Sequence, residues 1–152
     1  DSAASAPTSN LIYYTASGES NTNGENYILY AYHEVPGYCK IHKYTGNGSS
    51  DGPYVEIGFK PALVIIKRID STTGANWVLL DNKRNPHNQI NRNLYANVSN
   101  DDGTTDRCDF LANGFKIRQD GTSVNASGGT YIYMAFAETS GNTPYQTETT
   151  AR

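Results

Sequence analysis

Short apolar runs alternate with polar turn segments along the 152 residues of the chain. Runs such as "YILYAYHE" place large side chains at every second position, which is the period of a β-strand, and no comparable stretch keeps the period of an amphipathic helix. The pattern therefore predicts nine β-strands. They span Leu11–Thr15, Asn26–Glu34, Cys39–Tyr44, Tyr54–Ile57, Ala62–Asp70, Asn76–Asp81, Cys108–Leu111, Gly114–Arg118 and Thr130–Glu138.

Two runs, "ALVIIKR" from Ala62 and "WVLLD" from Trp77, are apolar at consecutive positions. A strand with one face in water would alternate instead, so both are predicted to be covered on two faces or to lie centrally between two layers. Asn-Gly steps at Asn23, Asn47 and Asn113 predict tight turns in which both residues adopt a positive φ. Together these features predict an all-β fold: an antiparallel, jelly-roll-like β-sandwich with little or no helix.

One pattern occurs twice in the chain. Residues 21–34 read "NTNGENYILYAYHE", and residues 125–138 read "NASGGTYIYMAFAE". Both place aromatic side chains at alternating positions around a small alanine, as two core strands at equivalent places in a sandwich would. The two segments are predicted to lie side by side and to close the domain. The alternative is a chance similarity between two Tyr-rich strands.

The composition suits strands and turns, with 12 Tyr, 14 Gly and only 18% charged residues. The length fits one domain. We expect residues 1–20 to be a linker or N-terminal arm with a possible edge strand, residues 21–138 to be the sandwich, and residues 139–152 to be a polar tail. Because the chain opens with a Ser- and Ala-rich stretch and no Met, we expect a processed product or the carboxy-terminal piece of a longer protein.

Charge and hydropathy argue against two classes of partner. The net charge is −3, whereas nucleic-acid binding requires a concentrated basic surface, so no nucleic acid is expected. The longest apolar run is far shorter than the roughly 20 residues that span a bilayer, so no membrane is expected. Cys39 and Cys108, the only cysteines, could pair, but each lies in an apolar or aromatic stretch, and we predict free, buried thiols.

No catalytic or cofactor motif occurs: the sequence lacks a nucleophile elbow, an HExxH motif, a phosphate-binding loop and a dinucleotide fingerprint. Neither an enzyme activity nor a cofactor is predicted. A polysaccharide depolymerase stays as an alternative, because a glycosidase needs only two suitably spaced carboxylates, and Glu34, Glu56 or Glu138 could supply them. Each is more simply explained as a charge at the end of a strand.

The acidic stretch "NDDGTTDRCD" contains the oxygen ligands that calcium prefers. Its spacing does not follow an EF-hand, and acidic loops with glycine are more often only solvated, so no metal site is predicted. The three histidines are scattered, without a second ligand at metal-binding spacing. The carboxylates of the stretch are Asp101, Asp102, Asp106 and Asp109.

A binding role is predicted for the segment from Trp77 to Asn97, "WVLLDNKRNPHNQINRNLYAN". After a core strand it continues as a long loop crowded with amides and planar groups, which hydrogen-bond sugar hydroxyls and stack on sugar rings. Long polar loops on rigid β scaffolds often carry recognition. In the structural alternative, Asp81 and Arg84 only tie the loop down. The predicted binding residues are Trp77, Arg84, His87, Asn91, Arg92 and Tyr95.

Several motifs, in order, carry a family resemblance: "YTGNG", "GFKPA", "WVLLDNKRNP", "DFLANGFKIR" and "YIYMAFAE". From Asn21 to Arg152 the sequence resembles a small β-rich domain at the carboxy-terminal end of tail-fibre and other virion proteins of tailed phages, including cyanophages. The resemblance implies a structural or adsorption role at the virion surface, as one module of a larger, trimeric fibre with other virion proteins as partners. It carries over no catalytic residue.

The leading hypothesis is therefore a non-catalytic domain of a phage tail fibre or another virion appendage, which assembles with copies of itself, attaches to host-surface polysaccharide, or does both. A lectin-like carbohydrate-binding module of a secreted protein is the first alternative, and the depolymerase is the second. A third is a subunit of an extended assembly, which an exposed aromatic patch would favour.

Overall fold

The computed structural model describes Thr8, residues 10–13 and residues 21–138. The chain divides into two compact units, residues 1–32 and residues 33–152. The described part contains no helix, and therefore none long and apolar enough to cross a membrane. Its eight strands all belong to the second unit: β1 (Cys39–Thr45), β2 (Tyr54–Glu56), β3 (Pro61–Arg68), β4 (Trp77–Asp81), β5 (Asn93–Tyr95), β6 (Cys108–Leu111), β7 (Gly114–Ile117) and β8 (Thr130–Ala137).

Two antiparallel sheets form the second unit. Five strands pair in the order β1-β8-β3-β4-β5, and three pair in the order β2-β7-β6. Buried side chains of both sheets belong to one apolar cluster, because the sheets pack face to face. The predicted all-β antiparallel sandwich is confirmed, with eight described strands in place of nine.

The strand predicted at Asn26–Glu34 is wrong, since these residues form no strand. The two copies of the repeated pattern do not pair, because β8 is hydrogen-bonded to β1 on one side and to β3 on the other. The side chain of Glu34 gives a local reason why no strand pairs with the outer edge of β1. Its carboxylate accepts the Ile41 N–H at 3.0 Å on the outer edge of β1, where the carbonyl of a pairing strand would have to lie.

Other differences concern the chain ends and one short strand. Residues 11–13 form no strand either, and the remainder of the strand predicted there lies outside the described residues. Most of the predicted arm over residues 1–20, and the whole tail over residues 139–152, also lie outside them. In contrast, β5 was missed inside the predicted binding loop, where it pairs with β4. A strand of three residues is too short to show a period of two.

The inner face of the five-stranded sheet provides most of the core. Tyr131, Tyr133 and Ala135 of β8 are at most 2% exposed, and Val64 and Ile66 of the neighbouring β3 are fully buried. In the register of the two strands, Tyr133 stands opposite Ile66 and Ala135 stands opposite Val64. Tyr131 stands opposite Arg68. The alternation seen in the sequence of β8 therefore points its tyrosines into the sandwich.

The outer face of the same sheet is also apolar. Ile41, Met134, Ile65, Leu79 and Leu94 stand opposite one another in register, across β1, β8, β3, β4 and β5 in turn. The first four are half-buried, and Leu94 on the edge strand is 38% exposed. The consecutive apolar residues of β3 and β4 are thus explained, because both strands lie centrally in the sheet with apolar side chains on both faces.

Two long loops are joined by the side chain of Asn125, which is fully buried. Its Nδ2 donates to Asn47 Oδ1 and to the carbonyls of Ser49 and Gln119, at 2.7–3.0 Å, and its Oδ1 accepts the Asn47 N–H at 2.8 Å. Every polar group of this amide is therefore used inside the protein. The side chain connects the loop after β1 to the loop before β8.

Core tyrosines secure the same loop before β8. The Tyr131 hydroxyl donates to the Thr122 carbonyl at 2.8 Å and accepts the Ala126 N–H at 2.7 Å, and the Tyr44 hydroxyl donates to the Val124 carbonyl at 2.6 Å. The two rings stack with their centroids 5.0 Å apart. Burial raises the pKa of both tyrosines, so the hydroxyls keep their protons and donate at neutral pH.

The hairpin between β6 and β7 turns through Ala112 and Asn113. No described residue other than glycine has a positive φ, so the conformation predicted for Asn23, Asn47 and Asn113 is wrong, although Gly24 and Gly48 do have a positive φ. Gly114 is required for a different reason. A Cβ atom at this position would come within 2.1 Å of the Val55 carbonyl oxygen on β2, and glycine lets that strand approach.

Both cysteines are buried free thiols, as predicted. Cys39 is 6% exposed and Cys108 is fully buried. Burial raises the pKa of the Cys108 thiol well above its ordinary value, because the interior disfavours the charged thiolate. The nucleophilic form is thereby suppressed.

Replacing Asn125 by alanine should lower the free energy of unfolding by about 3 kcal/mol, because four part-buried hydrogen bonds are lost at once. Urea unfolding followed by tyrosine fluorescence measures this difference. The matched control is Asn100→Ala, at an exposed position, which should change stability by less than about 0.5 kcal/mol. Equal stability of the two variants would contradict the role given to Asn125.

Thiol titration should separate folded from unfolded protein. We expect the native chain to react slowly with a disulfide reagent such as DTNB, because both thiols are shielded and Cys108 is held protonated. In a denaturant, two thiols per chain should react at once. Rapid reaction of both in the native protein would contradict their burial.

Candidate functional site

The six residues predicted to bind a ligand do not form one surface. Trp77 lies on the outer face of the five-stranded sheet, opposite Lys67, whereas Tyr95 stands opposite Val78 on the inner face. The Tyr95 hydroxyl donates to the buried carboxylate of Asp106 at 2.9 Å. The two aromatic rings therefore cannot stack on the same sugar.

The other loop residues of the set have separate surroundings. Asn91 accepts a hydrogen bond from the Asn85 amide at 2.7 Å, Arg92 pairs with Asp102 at 3.3 Å, and His87 is exposed. Within the described residues, no hydrogen bond or ion pair joins one member of the predicted set to another. The structure therefore does not bring the six predicted residues together at one point.

Arg84 belongs to a clamp at the end of β4. Asp81 Oδ1 accepts the N–H groups of Lys83 and Arg84 at 2.9 and 2.8 Å, and its Oδ2 accepts Arg84 Nε at 2.6 Å. Burial alone raises the pKa of Asp81, but the hydrogen bonds from Arg84 and Lys83 outweigh it, and the pKa is lowered. Asp81 and Arg84 therefore do tie the loop down, as the structural alternative expects, and the clamp leaves the binding prediction for Arg84 untouched.

Beside this clamp, a polar cleft opens where β3 begins and where β4 and β8 end. It consists of two hollows, of about 290 Å³ and about 560 Å³, which share Asn82, Ala137 and Glu138. We call it the Asn82 cleft. The first hollow is also lined by Gly37, Phe59, Lys60 and Pro61, and the second by Ala62, Leu63, Asp81, Lys83 and Arg84.

An exposed ion pair forms one rim of the Asn82 cleft. The Lys83 ammonium donates to the Glu138 carboxylate, with the two side chains 73% and 53% exposed, and Asn82 Nδ2 donates to the same carboxylate at 3.4 Å. The hydrogen bond from Lys83 lowers the pKa of Glu138. The Glu138 carboxylate therefore stays ionised at neutral pH, although such an exposed pair adds little to stability.

Two buried polar atoms of the cleft residues, Asn82 Oδ1 and Arg84 Nη1, have no hydrogen-bond partner among the described residues. Both residues are nevertheless well positioned. The Asn82 N–H donates to the Ala62 carbonyl at 3.0 Å, and Arg84 Nη2 donates to the Leu79 carbonyl at 3.3 Å. One acceptor and one donor are thus left unpaired on side chains that the scaffold holds in place.

The sequence predicted Arg84 as a binding residue. It did not predict that Asn82 and Glu138 line a cleft together with Arg84. The available signal was the run "DNKR" directly after the apolar "WVLL". Polar side chains that follow a buried strand collect at the edge of the sheet. Which of these side chains keep an unpaired polar atom depends on their neighbours at the start of β3 and the end of β8. Those two strands are distant from the run in sequence.

The acidic stretch does not converge on a common centre. Asp106 accepts hydrogen bonds from Gln119 at 2.7 Å and Ser123 at 2.5 Å, while Asp109 pairs with Arg118 at 2.5 Å. Among the residues that the structure describes, no three His, Cys, Asp or Glu side chains could hold a metal ion together. Protein donors engage Asp106 and Asp109, and also Asp102, which pairs with Arg92.

The first unit presents a run of large apolar side chains, residues 27–32, which we call the apolar segment. The structure leaves most of this run uncovered, although the sequence pattern predicted a core strand there. Contiguous exposed apolar side chains on a soluble protein mark interaction sites. The exposed fractions are 49% for Tyr27, 82% for Ile28, 57% for Leu29, 74% for Tyr30 and 59% for Tyr32.

Comparison with known proteins gives one family. A family model described as "Domain of unknown function (DUF7483)" matches residues 2–140. No curated protein and no solved structure matches the chain. The matched range includes both sheets, the apolar segment and the Asn82 cleft.

Replacing Asp81 by alanine should lower the free energy of unfolding by about 2 kcal/mol near neutral pH, because the carboxylate accepts three hydrogen bonds. The folded-state pKa of Asp81 lies below its ordinary value of 3.8. Its stabilising effect is therefore complete above that value and is lost as pH falls through the lower, folded-state value. Urea unfolding should show the gap between wild type and variant shrinking below about pH 4.

The control for this titration is Asp101→Ala, at an exposed position. It should leave the free energy of unfolding within about 0.5 kcal/mol of wild type at every pH. An Asp81 effect that does not depend on pH would show that the side chain acts by packing, and would contradict the electrostatic explanation.

Proposed function

We propose that this chain, which belongs to the DUF7483 family, is a non-catalytic structural domain of a phage virion appendage such as a tail fibre. In this role it associates with copies of itself at the virion surface. The exposed apolar segment is the observation that carries the proposal.

Burial of the apolar segment between chains supplies the driving force for association. Ile28 is 82% exposed and Tyr30 is 74% exposed, so both lose most of their contact with water if another chain covers them. Full burial of a large apolar side chain is worth about 1.5–3 kcal/mol. Because each copy carries the same segment, a symmetric homo-oligomer buries all of them by equivalent contacts. A trimer is favoured by the resemblance to tail-fibre domains.

The appendage role and the location on a virion rest on that resemblance. It spans motifs that lie on separate elements of the sandwich, including "YTGNG" at the end of β1, "GFKPA" at the start of β3 and "YIYMAFAE" along β8. Other virion proteins are the expected neighbours in such an appendage.

The state of the candidate carboxylates supports a non-catalytic role. Glu34 accepts a main-chain N–H of β1, and Glu138 pairs with Lys83. Glu56 is exposed on the short strand β2. A glycosidase instead requires two carboxylates that face each other across a substrate groove.

The direct test is the solution mass of the intact chain by light scattering. We expect a stable oligomer with a mass of three times 16.6 kDa. The double variant Ile28→Ser/Tyr30→Ser should dissociate to 16.6 kDa at micromolar concentration, because both substitutions remove buried apolar area from every interface. Both positions are highly exposed, so the sandwich itself should keep its unfolding midpoint.

The control variant is Ile69→Ser/Val98→Ser, which removes two other exposed apolar side chains, 54% and 39% exposed, from the second unit. It should keep the oligomeric mass. A wild-type chain that remains at 16.6 kDa over the whole accessible concentration range would overturn the proposal. Equal dissociation of both double variants would overturn the assignment of the interface to the apolar segment.

A further inference from the structure

The Asn82 cleft contains an unusual pair of unpaired groups. Asn82 Oδ1 can only accept a hydrogen bond and Arg84 Nη1 can only donate one, and neither has a partner among the described residues. Buried polar groups are nearly always paired, because each unpaired one has lost its water without compensation. A buried acceptor and a buried donor on the same cleft therefore indicate a bound species that supplies both functions.

The surroundings restrict what that species can be. The second hollow, of about 560 Å³, is lined by both Asn82 and Arg84 and also by the apolar side chain of Leu63. The adjoining hollow is lined by Phe59 and Lys60. The size lies within the range of small-molecule sites, which combine apolar walls with a few placed polar groups.

A pair of neighbouring hydroxyl groups matches this chemistry. A hydroxyl both donates and accepts, so one member of the pair can donate to Asn82 Oδ1 while the other accepts from Arg84 Nη1. The carbon-bound hydrogens of a sugar ring form an apolar surface that suits Leu63 and Phe59. A simple anion would satisfy Arg84 but would leave the Asn82 acceptor without a donor.

Lys83 and Glu138 line the same hollow as Asn82 and Arg84. Asn82 Oδ1 and Arg84 Nη1 are shielded from solvent, so a ligand must displace a side chain to reach them. The Lys83–Glu138 pair is mostly exposed. Such a pair contributes little to stability, and its opening is an inexpensive motion. Once open, its ammonium and carboxylate can bind further hydroxyls of the same sugar.

We propose that the Asn82 cleft is a saccharide-binding subsite, in which Asn82 Oδ1 and Arg84 Nη1 bind vicinal hydroxyl groups. The site goes beyond self-association and does not depend on it, because all of its residues belong to the second unit. It replaces the broad loop surface expected from the sequence by a cleft at the ends of three strands.

Nuclear magnetic resonance titration of the intact chain tests this site. The probes are methyl α-D-mannopyranoside and methyl β-D-galactopyranoside, which both carry vicinal hydroxyls, and the observed signals are the side-chain amide of Asn82 and the main-chain amides of residues 81–84. We expect at least one probe to shift these signals in a saturable way at millimolar concentration. The deoxy analogue of the binding sugar, lacking one of its paired hydroxyls, should bind about tenfold more weakly.

Three variants locate the contact. Asn82→Ala removes the acceptor and should weaken binding by about tenfold, and Arg84→Lys removes Nη1 but keeps the charge and should do the same. Asn100→Ala, at an exposed position, should bind like wild type. Unchanged main-chain spectra outside residues 79–86 establish that the first two variants are folded. If Arg84→Lys does not fold because the clamp with Asp81 is lost, Asn82→Ala alone decides.

Two results would overturn the subsite: no saturable shift with either sugar, or shifts that persist unchanged in Asn82→Ala. The first would mean that only water pairs with the two atoms. The light-scattering mass, measured on the same samples, keeps this inference distinct from the proposed function. An intact oligomer without sugar binding sinks the subsite alone, and a monomer that binds sugar sinks self-association alone.

Discussion

The sandwich depends on the packing of β8. This strand lies inside the five-stranded sheet, and its inward side chains also pack against the three-stranded sheet. Its inward tyrosines, Tyr131 and Tyr133, meet Tyr44 from β1 and Phe115 from the three-stranded sheet, with ring centroids 5.0–6.4 Å apart. Aromatic rings at these distances stabilise each other beyond their buried area. The same rings carry the hydroxyls that fasten the loop before β8, so one strand organises core and loop together.

The position of β8 also creates the cleft at its end. Because β8 lies between β1 and β3, its last residue, Ala137, and the following Glu138 emerge beside the start of β3 and the end of β4. The clamp between Asp81 and Arg84 then turns the chain sharply after β4 and leaves Asn82 facing that junction. The polar groups of the cleft are therefore placed by rigid strand ends, which is the arrangement that gives a binding site its geometry at low entropic cost.

The sequence predicted the fold class and most strands because burial on a sheet imposes a period of two, which Val64, Ile66, Val78 and Leu80 obey. It also predicted the free thiols, and the clamp residues Asp81 and Arg84. It failed for Asn26–Glu34, since alternation shows only that a segment could form a strand and says nothing about whether a sheet edge is open to it. The predicted binding residues do not lie together for a related reason. Strand β5 interrupts the loop and directs Tyr95 inward, and the pairing of β5 with β4 is not visible in the sequence of the loop.

The outer edge of β1 is occupied by hydrogen-bond acceptors from nearby residues. The N–H groups of Cys39, Ile41 and Lys43 point away from β8, and they are taken by the Val35 carbonyl, the Glu34 carboxylate and His42 Nδ1 respectively. Side-chain acceptors and lysines on an edge strand prevent indiscriminate pairing with other strands. With its outward N–H groups taken, β1 offers none of these three donors to a further strand. The edge of the five-stranded sheet at β1 is therefore protected against extension by another strand.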